Sequence, residues 1–432
     1  MFKYLTSKVS LISENQVNQV LPNNFGGFSN KLLPLLFAIL AFIYQSPYFL
    51  WNQPPYLYRF VLFITLIVSF LNLLKNIDSK AIIVAFCFFF SWFVRQYSSN
   101  GLEFWFSSEI LLIIVFLLSA KAIQRDSFQL FINIYTLVMV PSILMYVLIF
   151  FGFDLHWTYL EPLNPLKTQL GLFYREYFGM VILSHQIFPI GLGEVFRLSG
   201  VYDEPGVVGT VSVILLTATN FSTRKWQGKV LLISGLLSFS LAFYLISAMF
   251  FCLKKPFYLL VSISLFIVFV VFAPSSFLEN DFVERYFIGR VITAVTDFDS
   301  ANNREAIDFK LRFKNFLDSE NLLFGVGRAS GFQEKGGSAS YKVSFFMYGV
   351  FGVLSIFIYY LSFVLVQIEK SSDLFLLAPF LICCLASLAQ RPTFDAFWFI
   401  VIFFGGIVHV LSSSESFYIP KNRHLFRFNK SL

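Results

Sequence analysis

Apolar runs about as long as a lipid bilayer is thick dominate this sequence of 432 residues. A helix needs about 20 mostly apolar residues to cross the hydrocarbon core. Hydrophobic residues make up 57% of the chain and charged residues 13%, against about 45–50% and about 25% in soluble domains. The sequence therefore predicts an all-α polytopic membrane protein and excludes a disordered chain, a disulfide scaffold and a soluble multidomain enzyme. The apolar runs are 32–50, 57–74, 81–94, 104–120, 130–151, 206–221, 230–253, 256–273, 340–366, 374–389 and 394–411.

The positions of lysine and arginine predict how these segments are oriented. If the N-terminus is cytoplasmic, 17 basic residues fall in inner segments, while the outer connections and helix mouths carry Arg59, Arg95, Lys342 and Arg391. The excess of basic residues behind the formal charge of +7 is then explained by their place in the inner segments, so a nucleic-acid partner is not expected. The four cysteines lie inside apolar runs without a His at metal-ligand spacing, and a buried free Cys behaves as a small hydrophobe.

The run 230–253 tests this orientation, because basic residues lie before it at 224–229 and after it at Lys254 and Lys255. Two positions on the same side of a membrane need an even number of crossings. We therefore predict a hairpin of two short helices that turns at 238–240 and is sheltered by protein, since bare backbone ends are costly in lipid. One long tilted helix, with Lys254 and Lys255 outside, is the alternative.

With the hairpin, the chain is predicted to have about 12 transmembrane segments (11–13), with both termini inside and two long loops outside. The predicted parts are a cytoplasmic N-terminal segment at 1–31, transmembrane segments 1–5 at 32–151, a first outer loop at 152–205, segments 6–9 at 206–274, a second outer loop at 275–337, segments 10–12 at 338–411 and a basic cytoplasmic tail at 412–432.

The two predicted outer loops hold 27 of the 57 charged residues, while the helices between them are almost uncharged. A transporter or proton-driven pump lines a pathway at the bilayer midplane with ionisable groups. Charge gathered at the outer surface instead favours a site at the membrane boundary that acts on something both lipid-anchored and polar. Glu109 is the clearest acid inside an apolar run; it has either a function or only a place at a solvated helix end.

Residues 173–196 of the first loop mix aromatic with charged side chains. Such a mixture is typical of an amphipathic or partly re-entrant segment in the headgroup zone of a membrane. A lid packed on the helices is the alternative.

In the second loop, residues 304–318 have the pattern of a helix that 302–303 can cap. Arg304, Asp308 and Arg312 form a stripe on one face of this helix, which is either functional or a solvated salt-bridge ladder. The apolar face is formed by Phe309, Phe313 and Phe316.

Glycines follow this predicted helix. No strand–turn–helix unit surrounds them, so a nucleotide site is not expected; the better interpretation is that they end the helix and let the chain pass close to another backbone. The acids at 297–299 have the spacing of a metal clamp, but capping or solvation of a helix end explains them more simply, and no metal is expected. The glycines are Gly325, Gly327, Gly331, Gly336 and Gly337.

The most specific segment is residues 197–206 (RLSGVYDEPG), which leads directly into the run 206–221. An Arg-x-x-Gly sequence followed by an aromatic residue and Glu-Pro, at the outer mouth of a helix, resembles the Wzy-type polymerases of O-antigen, capsule and exopolysaccharide repeat units. These polymerases and the O-antigen ligases form one membrane glycosyltransferase superfamily. A second resemblance is Asn303-Arg304 followed by LFGVG at 323–327 and YGVFG at 348–352, because an Arg-bearing outer loop of the family ends in Gly-x-Gly.

The resemblance implies a GT-C-like glycosyltransferase in the bacterial inner membrane, multi-pass, with an active site that faces the periplasm. Family members move an oligosaccharide from polyprenyl diphosphate onto another carrier-linked unit. The implied partners are therefore this lipid-linked oligosaccharide, as donor and as acceptor, and membrane lipid. No cofactor and no nucleic acid is implied, and a chain-length regulator protein stays open as a further partner.

The leaving diphosphate explains the arginines that the resemblance singles out. Guanidinium forks suit phosphate oxygens, and fixed positive charge stabilises the negative charge that develops on a leaving group. Arg197 and Arg304 are the implied catalytic residues, with Arg312 and Arg328 behind them in substrate binding, and a helix N-terminus at Pro205 would add free N–H groups. Tyr202, Gly325 and Gly327 complete the expected substrate-binding set.

An acceptor hydroxyl loses its proton as it attacks, and a general base assists this step. Glu204 is the first candidate for the base, and Asp203 is the second. If Asp203 is not the base, it is expected to bind substrate. The alternative for Glu204 is structural, because an acid before a helix-starting Pro is a common cap and because it can pair with Arg197.

O-antigen ligases carry a His in the second outer loop shortly before the next helix, and the corresponding residues 336–342 contain none. This departure favours a polymerase over a ligase-type transferase and leaves the base open. His185 in the first loop can approach the site and bind substrate, with a structural role as its alternative. A flippase for lipid-linked oligosaccharide is the alternative outside the enzymes, although a flippase needs a wet central cavity with ionisable walls.

Overall fold

The computed structural model describes residues 24–54, 56–73, 78–100, 107–190, 193–258, 260–261, 264, 281–283, 307–327 and 340–418. In this part of the chain the protein is mostly helical, as predicted, and it has five short strands that the sequence analysis did not predict. The run 256–273 lies largely outside the described residues, and so do Arg304, Arg328 and the acids at 297–299.

The elements of the described residues are numbered here in chain order. The helices are α1 (Asn24–Ile43), α2 (Tyr56–Leu73), α3 (Ser79–Asn100), α4 (Ser108–Leu118), α5 (Lys121–Phe150), α6 (Pro165–Gln169), α7 (Pro205–Ala218), α8 (Trp226–Leu237), α9 (Leu241–Lys254), α10 (Asp281–Val283), α11 (Ile307–Leu317), α12 (Tyr341–Gln367), α13 (Ser371–Gln390) and α14 (Phe397–Tyr418). The strands are β1 (Thr158–Leu160), β2 (Tyr174–Tyr177), β3 (Met180–Leu183), β4 (Ile187–Ile190) and β5 (Gly193–Phe196).

Four helices, α3, α5, α12 and α13, are long and apolar enough to cross a membrane by their length and composition. Shorter apolar helical stretches accompany them in α1, α2, α4, α7, α9 and α14. Each of these ten stretches overlaps a run that the sequence predicted to be transmembrane. The architecture is that of a helical membrane protein.

Helix α2 has polar groups inside and apolar groups outside. Thr65 and Ser69 are fully buried, whereas Phe63, Ile67 and Phe70 are exposed. Thr65 is satisfied within the helix, because its Oγ1 donates to the carbonyl of Val61 at 2.7 Å. A large exposed apolar stripe opposite small buried polar residues is typical of a helix that packs against other helices and faces lipid.

The helices leave two chemically different ends. We call the end that carries residues 152–204 the loop end, and the end that carries Arg125 and Lys225 the basic end. His409, near the end of α14, lies close to both of these cations, and its Nδ1 is 3.3 Å from the side-chain amide of Gln129. Helix α5 therefore starts at the basic end, and α14 runs towards it.

The run 230–253 consists of two helices, α8 and α9, separated at 238–240, where Phe239 has a φ of +44°. At the break, Ser240 packs against Gly209 in the first half of α7. At the far end of α9, the ring of Phe250 lies 4.9 Å from Phe221, which follows α7. Helix α9 therefore returns to the end at which α8 began, so the chain turns back here in the way that the charge pattern predicts.

Residues 158–196 fold into two small antiparallel sheets, β1-β2-β3 and β4-β5. A two-residue turn with Gly179 at a φ of +71° joins β2 to β3, and every residue of β3 is buried. Ser142 Oγ on α5 donates to the carbonyl of Gly179 at 2.6 Å. Of the two interpretations of this segment, a lid packed on the helices is therefore the one that the structure supports.

Helix α7 lies at the centre of the helices and contacts α8, α9, α13 and α14. It also contacts α5, where the hydroxyl of Tyr135 donates to the carbonyl of Val208 at 3.2 Å. All of its residues except Val207 are buried, which agrees with its sequence, apolar on all sides. Its first residue, Pro205, lies at the loop end directly after the motif that the sequence singled out. The fold thus places that motif at the mouth of this buried helix.

Candidate active site

The motif 197–206 is anchored on neighbouring segments at the loop end. The N–H of Tyr48 donates to the carbonyl of Val201 at 2.8 Å, and the hydroxyl of Tyr202 donates to Gln45 Oε1 at 2.5 Å. Gly200 has a φ of +56° and lies against Met139 of α5. Tyr202 is 1% exposed, so it holds the motif in place and has no free surface to offer a ligand.

Glu204 precedes the first residue of α7, as the sequence predicts. Its side chain makes no hydrogen bond to the first N–H groups of the helix. Its Oε2 accepts a hydrogen bond from Arg391 Nη2 at 2.5 Å. The capping interpretation of Glu204 is therefore replaced by an ion pair with a residue 187 positions later in the chain.

Asp203 belongs to a second set of contacts that joins the motif to the lid. Lys167 Nζ lies 3.5 Å from Asp203 Oδ2 and 2.8 Å from the hydroxyl of Tyr174. That hydroxyl donates to the backbone carbonyl of Asp203 at 2.7 Å. The acid, the lysine and the tyrosine therefore fix the position of β2 over the mouth of α7.

Burial in these surroundings shifts the pKa of both Asp203 and Tyr174. The pKa of Asp203 lies above its ordinary value of 3.8 because burial outweighs the opposing effect of Lys167, although 47% of the side-chain surface stays accessible. Burial, and then the charge of Asp203, raise the pKa of Tyr174. Tyr174 is therefore a hydrogen-bond donor at every physiological pH, and Asp203 is the more basic kind of carboxylate that a proton acceptor requires.

Arg391 lies on the connection between α13 and α14, and its backbone N–H donates to the carbonyl of Ser387 at 2.8 Å. Its guanidinium packs directly on Gly206: a Cβ at that position would lie 2.5 Å from Nη2. Its Nε is buried without a hydrogen-bond partner among the residues that the structure describes. Glycine at 206 is therefore what allows a guanidinium to lie over the first turn of α7.

Arg95 of α3 holds the same connection from the other side. It forms an ion pair with Asp395 and is 3% exposed. Its guanidinium lies 5.7 Å from the ring centre of Tyr348 and 5.3 Å from that of Phe394, a geometry that adds cation–π attraction. The hydroxyl of Tyr360 donates to the carbonyl of Phe394 at 2.6 Å, so the connection 391–396 is tied to α3 and α12 as well as to α7.

The two glycine motifs of the second resemblance, at 323–327 and 348–352, interlock. Gly325 and Gly349 have φ values of +81° and +64°, and a Cβ on Gly349 would lie 2.4 Å from the carbonyl oxygen of Leu323. Val326 N–H donates to Phe346 O at 2.9 Å. The prediction that these glycines permit close backbone approach agrees with this geometry, which positions the chain between α11 and α12 rather than presenting glycines to a ligand.

The remaining predicted site residues lie in different places. Arg197 donates from Nε to the carbonyl of Ser238 at 3.2 Å, so it lies at the turn between α8 and α9. Arg312 is exposed on α11, whose apolar face is buried through Phe309 and Phe316 as predicted. His185 is exposed on the turn after β3, two residues beyond the partner of Tyr174. Arg304, the second catalytic arginine that the resemblance implies, lies outside the described residues.

Glu109 makes a structural contact at the start of α14. Its Oε1 accepts a hydrogen bond from the N–H of Phe397, the first residue of α14, at 3.1 Å. A carboxylate at this position complements the positive end of the helix. Of the two interpretations of Glu109, a position at a helix end is the one that this contact supports.

Comparison with protein-family models, with curated proteins and with solved structures finds no match to this chain. The geometry of the loop end is therefore the basis for any functional proposal. Among the described residues, no three His, Cys, Asp or Glu side chains lie close enough together to hold one metal ion.

Sequence reasoning missed five residues that position the motif or the connection 391–396. One signal pointed to two of them: Arg95 and Arg391 are among the four basic residues that the orientation places at outer helix mouths, against the general bias. Nothing in the sequence pointed to the others. The missed residues are Arg95, Lys167, Tyr174, Arg391 and Asp395.

Proposed function

We propose that this protein is a membrane glycosyltransferase that polymerises polyprenyl-diphosphate-linked oligosaccharide repeat units into a surface polysaccharide. The reaction takes place at the periplasmic face of the bacterial inner membrane, in a GT-C-like chain of about 12 spans. The observation that carries the proposal is the ion pair of Glu204 with Arg391 at the N-terminus of the buried helix α7. An acid and a guanidinium side by side are the two groups that transfer from a diphosphate requires.

In this reaction the acceptor hydroxyl oxygen forms a bond to the anomeric carbon of the donor sugar. The bond from that carbon to the diphosphate oxygen breaks, and its electron pair leaves with the diphosphate. The hydroxyl proton passes to a carboxylate, Glu204 or its neighbour Asp203, for which the raised pKa is favourable. One displacement inverts the anomeric configuration.

The position of the groups supports a lipid-borne substrate. The charged groups of the site lie where the loop end meets apolar helices: Asp203, Glu204, Lys167 and Arg391. None of these four residues lies midway along a long apolar helix. A diphosphate on a polyprenol would keep its chain in lipid and bring its charge to this boundary. Arg197, at the turn between α8 and α9, and Arg304 are the further cations assigned to the diphosphate by resemblance.

The test is purified full-length protein in lipid with a synthetic polyprenyl-diphosphate oligosaccharide, scored for a ladder of products without added metal. We expect a ladder from the wild type and none from Arg197→Ala, Arg304→Ala or Glu204→Gln. Arg→Lys at 197 or 304 should also fail, since lysine is only a point charge and cannot form a bidentate grip. Arg125→Gln, at an exposed ion pair of the basic end, is the matched control and should leave the ladder intact.

Other outcomes would point to the alternatives. Transfer to a separate lipid or protein acceptor, with no self-polymerisation, would indicate a ligase-type transferase. In cells, the polymerase proposal expects single repeat units to remain at the surface when Arg197 or Arg304 is changed to alanine, because other proteins carry out flipping and ligation. Loss of single units from the surface would instead favour a flippase.

A further inference from the structure

The ion pair between Glu204 and Arg391 joins two groups that the proposed reaction needs separately. We propose that Arg391 is a substrate-binding residue that exchanges partners: it pairs with Glu204 until the lipid-linked donor binds, and then turns to the diphosphate and frees the Glu204 carboxylate. This inference rests on the proposed function and deepens it, because it names the event that prepares the base.

The two partners of the ion pair are unequally exposed. The Arg391 side chain is 19% exposed, and the Glu204 side chain is 45% exposed. The guanidinium therefore lies deeper, and the carboxylate lies towards the surface from which an acceptor arrives. The described contact uses Nη2, while Nε is buried without a partner among the described residues, so a guanidinium with five N–H donors has capacity for a second anion.

The electrostatics of the site favour the exchange. Nη2 lies against Gly206 in the first turn of α7, where the helix carries its partial positive charge and free N–H groups. The guanidinium thus lies beside the helix terminus and the Glu204 carboxylate, and Asp203 is close enough to attract it as well. A diphosphate carries more negative charge than a carboxylate and matches the guanidinium fork, so it competes effectively for both.

The backbone around Arg391 is fixed, so the exchange needs only a side-chain rotation. The N–H of Arg391 is bonded to Ser387 O at 2.8 Å, and the N–H of Thr393 is bonded to Arg391 O at 2.7 Å. Beyond them, Asp395 is paired with the buried Arg95. A long side chain on a rigid connection can change partners without movement of the helices.

The exchange also accounts for the proton. Once Arg391 faces the diphosphate, the Glu204 carboxylate accepts the acceptor's hydroxyl proton as the new C–O bond forms. The electron pair of the broken C–O bond leaves on the diphosphate oxygen that Arg391 now contacts. The rotation of Arg391 therefore assists both the deprotonation of the acceptor and the departure of the diphosphate.

The test measures the binding of radiolabelled undecaprenyl diphosphate to full-length protein in phosphatidylcholine nanodiscs, without turnover. If Arg391 exchanges partners, Glu204→Gln releases it in advance and should tighten binding about tenfold. Arg391→Ala should weaken binding about tenfold. In the double variant, Glu204→Gln should change the affinity of the Arg391→Ala protein by less than about twofold, because the competition no longer exists.

Charge alone would give a different pattern. If Glu204→Gln acted only by removing a negative charge, it would tighten binding equally with and without Arg391, and Asp203→Asn, one residue away, would do the same. That result would overturn the inference. Arg125→Gln at the basic end should change nothing in this assay.

Two further variants keep the test decisive if Arg391→Ala does not fold. Gly206→Ala leaves every charge in place but moves the guanidinium, because its Cβ would meet Nη2 at 2.5 Å; it should loosen the ion pair and tighten binding in the same direction as Glu204→Gln. Arg391→Lys, compared in turnover, should raise KM for the donor about tenfold and lower kcat by less than about threefold. A loss in kcat for Arg391→Lys with unchanged KM would indicate a merely structural ion pair.

Failure of the inference and failure of the proposed function give different results. If the wild type binds undecaprenyl diphosphate no better than it binds phosphatidylglycerol, the proposed function fails. If the wild type binds it specifically, but Glu204→Gln and Arg391→Ala each change the affinity by less than about twofold, only the partner exchange is wrong.

Discussion

Asp203 and Glu204 are neighbours in the chain, yet the tertiary structure gives them different surroundings. Glu204 faces a guanidinium at 2.5 Å, whereas Asp203 has a lysine at 3.5 Å and a tyrosine hydroxyl on its backbone carbonyl. The closer cation holds Glu204 as an ion-pair partner. Burial outweighs the more distant cation at Asp203, so its pKa is raised. At the scale of single residues, the chemistry of the motif thus depends on which cation reaches which acid.

The raised pKa of Asp203 predicts a stability effect with a definite sign. The folded protein favours the protonated carboxyl, so this contribution to stability is complete below pH 3.8 and is lost as the pH rises through the raised pKa. Asp203→Asn, which is always neutral, should therefore raise the melting temperature at pH 7.5. The corresponding gain in the free energy of unfolding should be less than about 1 kcal/mol, because the side chain is half exposed. The difference from wild type should shrink as the pH is lowered towards 4. Thermal unfolding in detergent measures it, and a lower melting temperature of Asp203→Asn at pH 7.5 would contradict the prediction.

Arg95 makes the most deeply buried ion pair of the described residues. Arg95→Gln would leave the Asp395 carboxylate without its partner. Loss of one member of a buried pair costs about 3–5 kcal/mol, and we expect about 2–3 kcal/mol here because Asp395 is 35% exposed. The matched control is Arg125→Gln, since the exposed pair of Arg125 with Asp126 is worth about 0–1 kcal/mol. Equal melting temperatures for the two variants would show that the Arg95 pair does not stabilise the connection 391–396.

At the scale of elements, α12 is the clearest case of a helix that is shaped by its neighbour. Its residue Gly349 is not helical, with a φ of +64°, and the backbone of 323–325 passes where a side chain would stand. The lid is a second case: alternating residues and a glycine turn form strands that bury β3 against α5. Both elements take their final form from packing at the loop end.

Gly349→Ala should disrupt the contact between α12 and the segment that follows α11. The new Cβ would lie 2.4 Å from Leu323 O and 2.5 Å from Gly325 N, which are backbone atoms that cannot move aside cheaply. The backbone of Gly349, with a φ of +64° and a ψ of −172°, lies in a region that is essentially reserved for glycine and costs about 1–3 kcal/mol for a residue with a Cβ, so we expect a loss of at least about 2 kcal/mol in thermal unfolding. Leu354→Ala on the exposed face of the same helix is the control. A Gly349→Ala protein as stable as that control would contradict the packing described.

At the scale of the whole molecule, the helices separate two kinds of chemistry. The loop end carries Asp203, Glu204, Arg391 and the lid, and the basic end carries Arg125 and Lys225. Exposed apolar faces such as that of α2 lie between the two ends. This separation is what a membrane imposes on a protein that crosses it.

The return of α9 to the basic end predicts a labelling pattern. Single cysteines in place of Arg224 and Lys255, in a chain whose four native cysteines are changed to alanine, should react with an impermeant thiol reagent from the same side of the membrane. A cysteine in place of Thr168 in the lid should react from the opposite side. Opposite sides for positions 224 and 255 would mean that 230–253 crosses the membrane once.

Sequence by itself determined much of the helical framework. Apolar runs gave the helices, because the cost of exposing backbone and charge to lipid acts on local composition. The distribution of basic residues predicted that the chain turns back between Arg224 and Lys255, and the spacing of Phe309 and Phe316 predicted the buried face of α11. These features depend on short stretches of chain, so a local pattern is enough to specify them.

Tertiary structure alone decided which residues meet at the candidate site. Glu204 pairs with a residue 187 positions away, and Arg95 pairs with one 300 positions away; no local spacing encodes such partners. The strands of the lid were also not predicted, because mixed aromatic and charged residues suit both a sheet packed on helices and a segment in the headgroup zone. The physical reason is the same in each case: periodicity and partition between water and lipid act along the chain, whereas ion pairs and sheet packing depend on how distant segments come together.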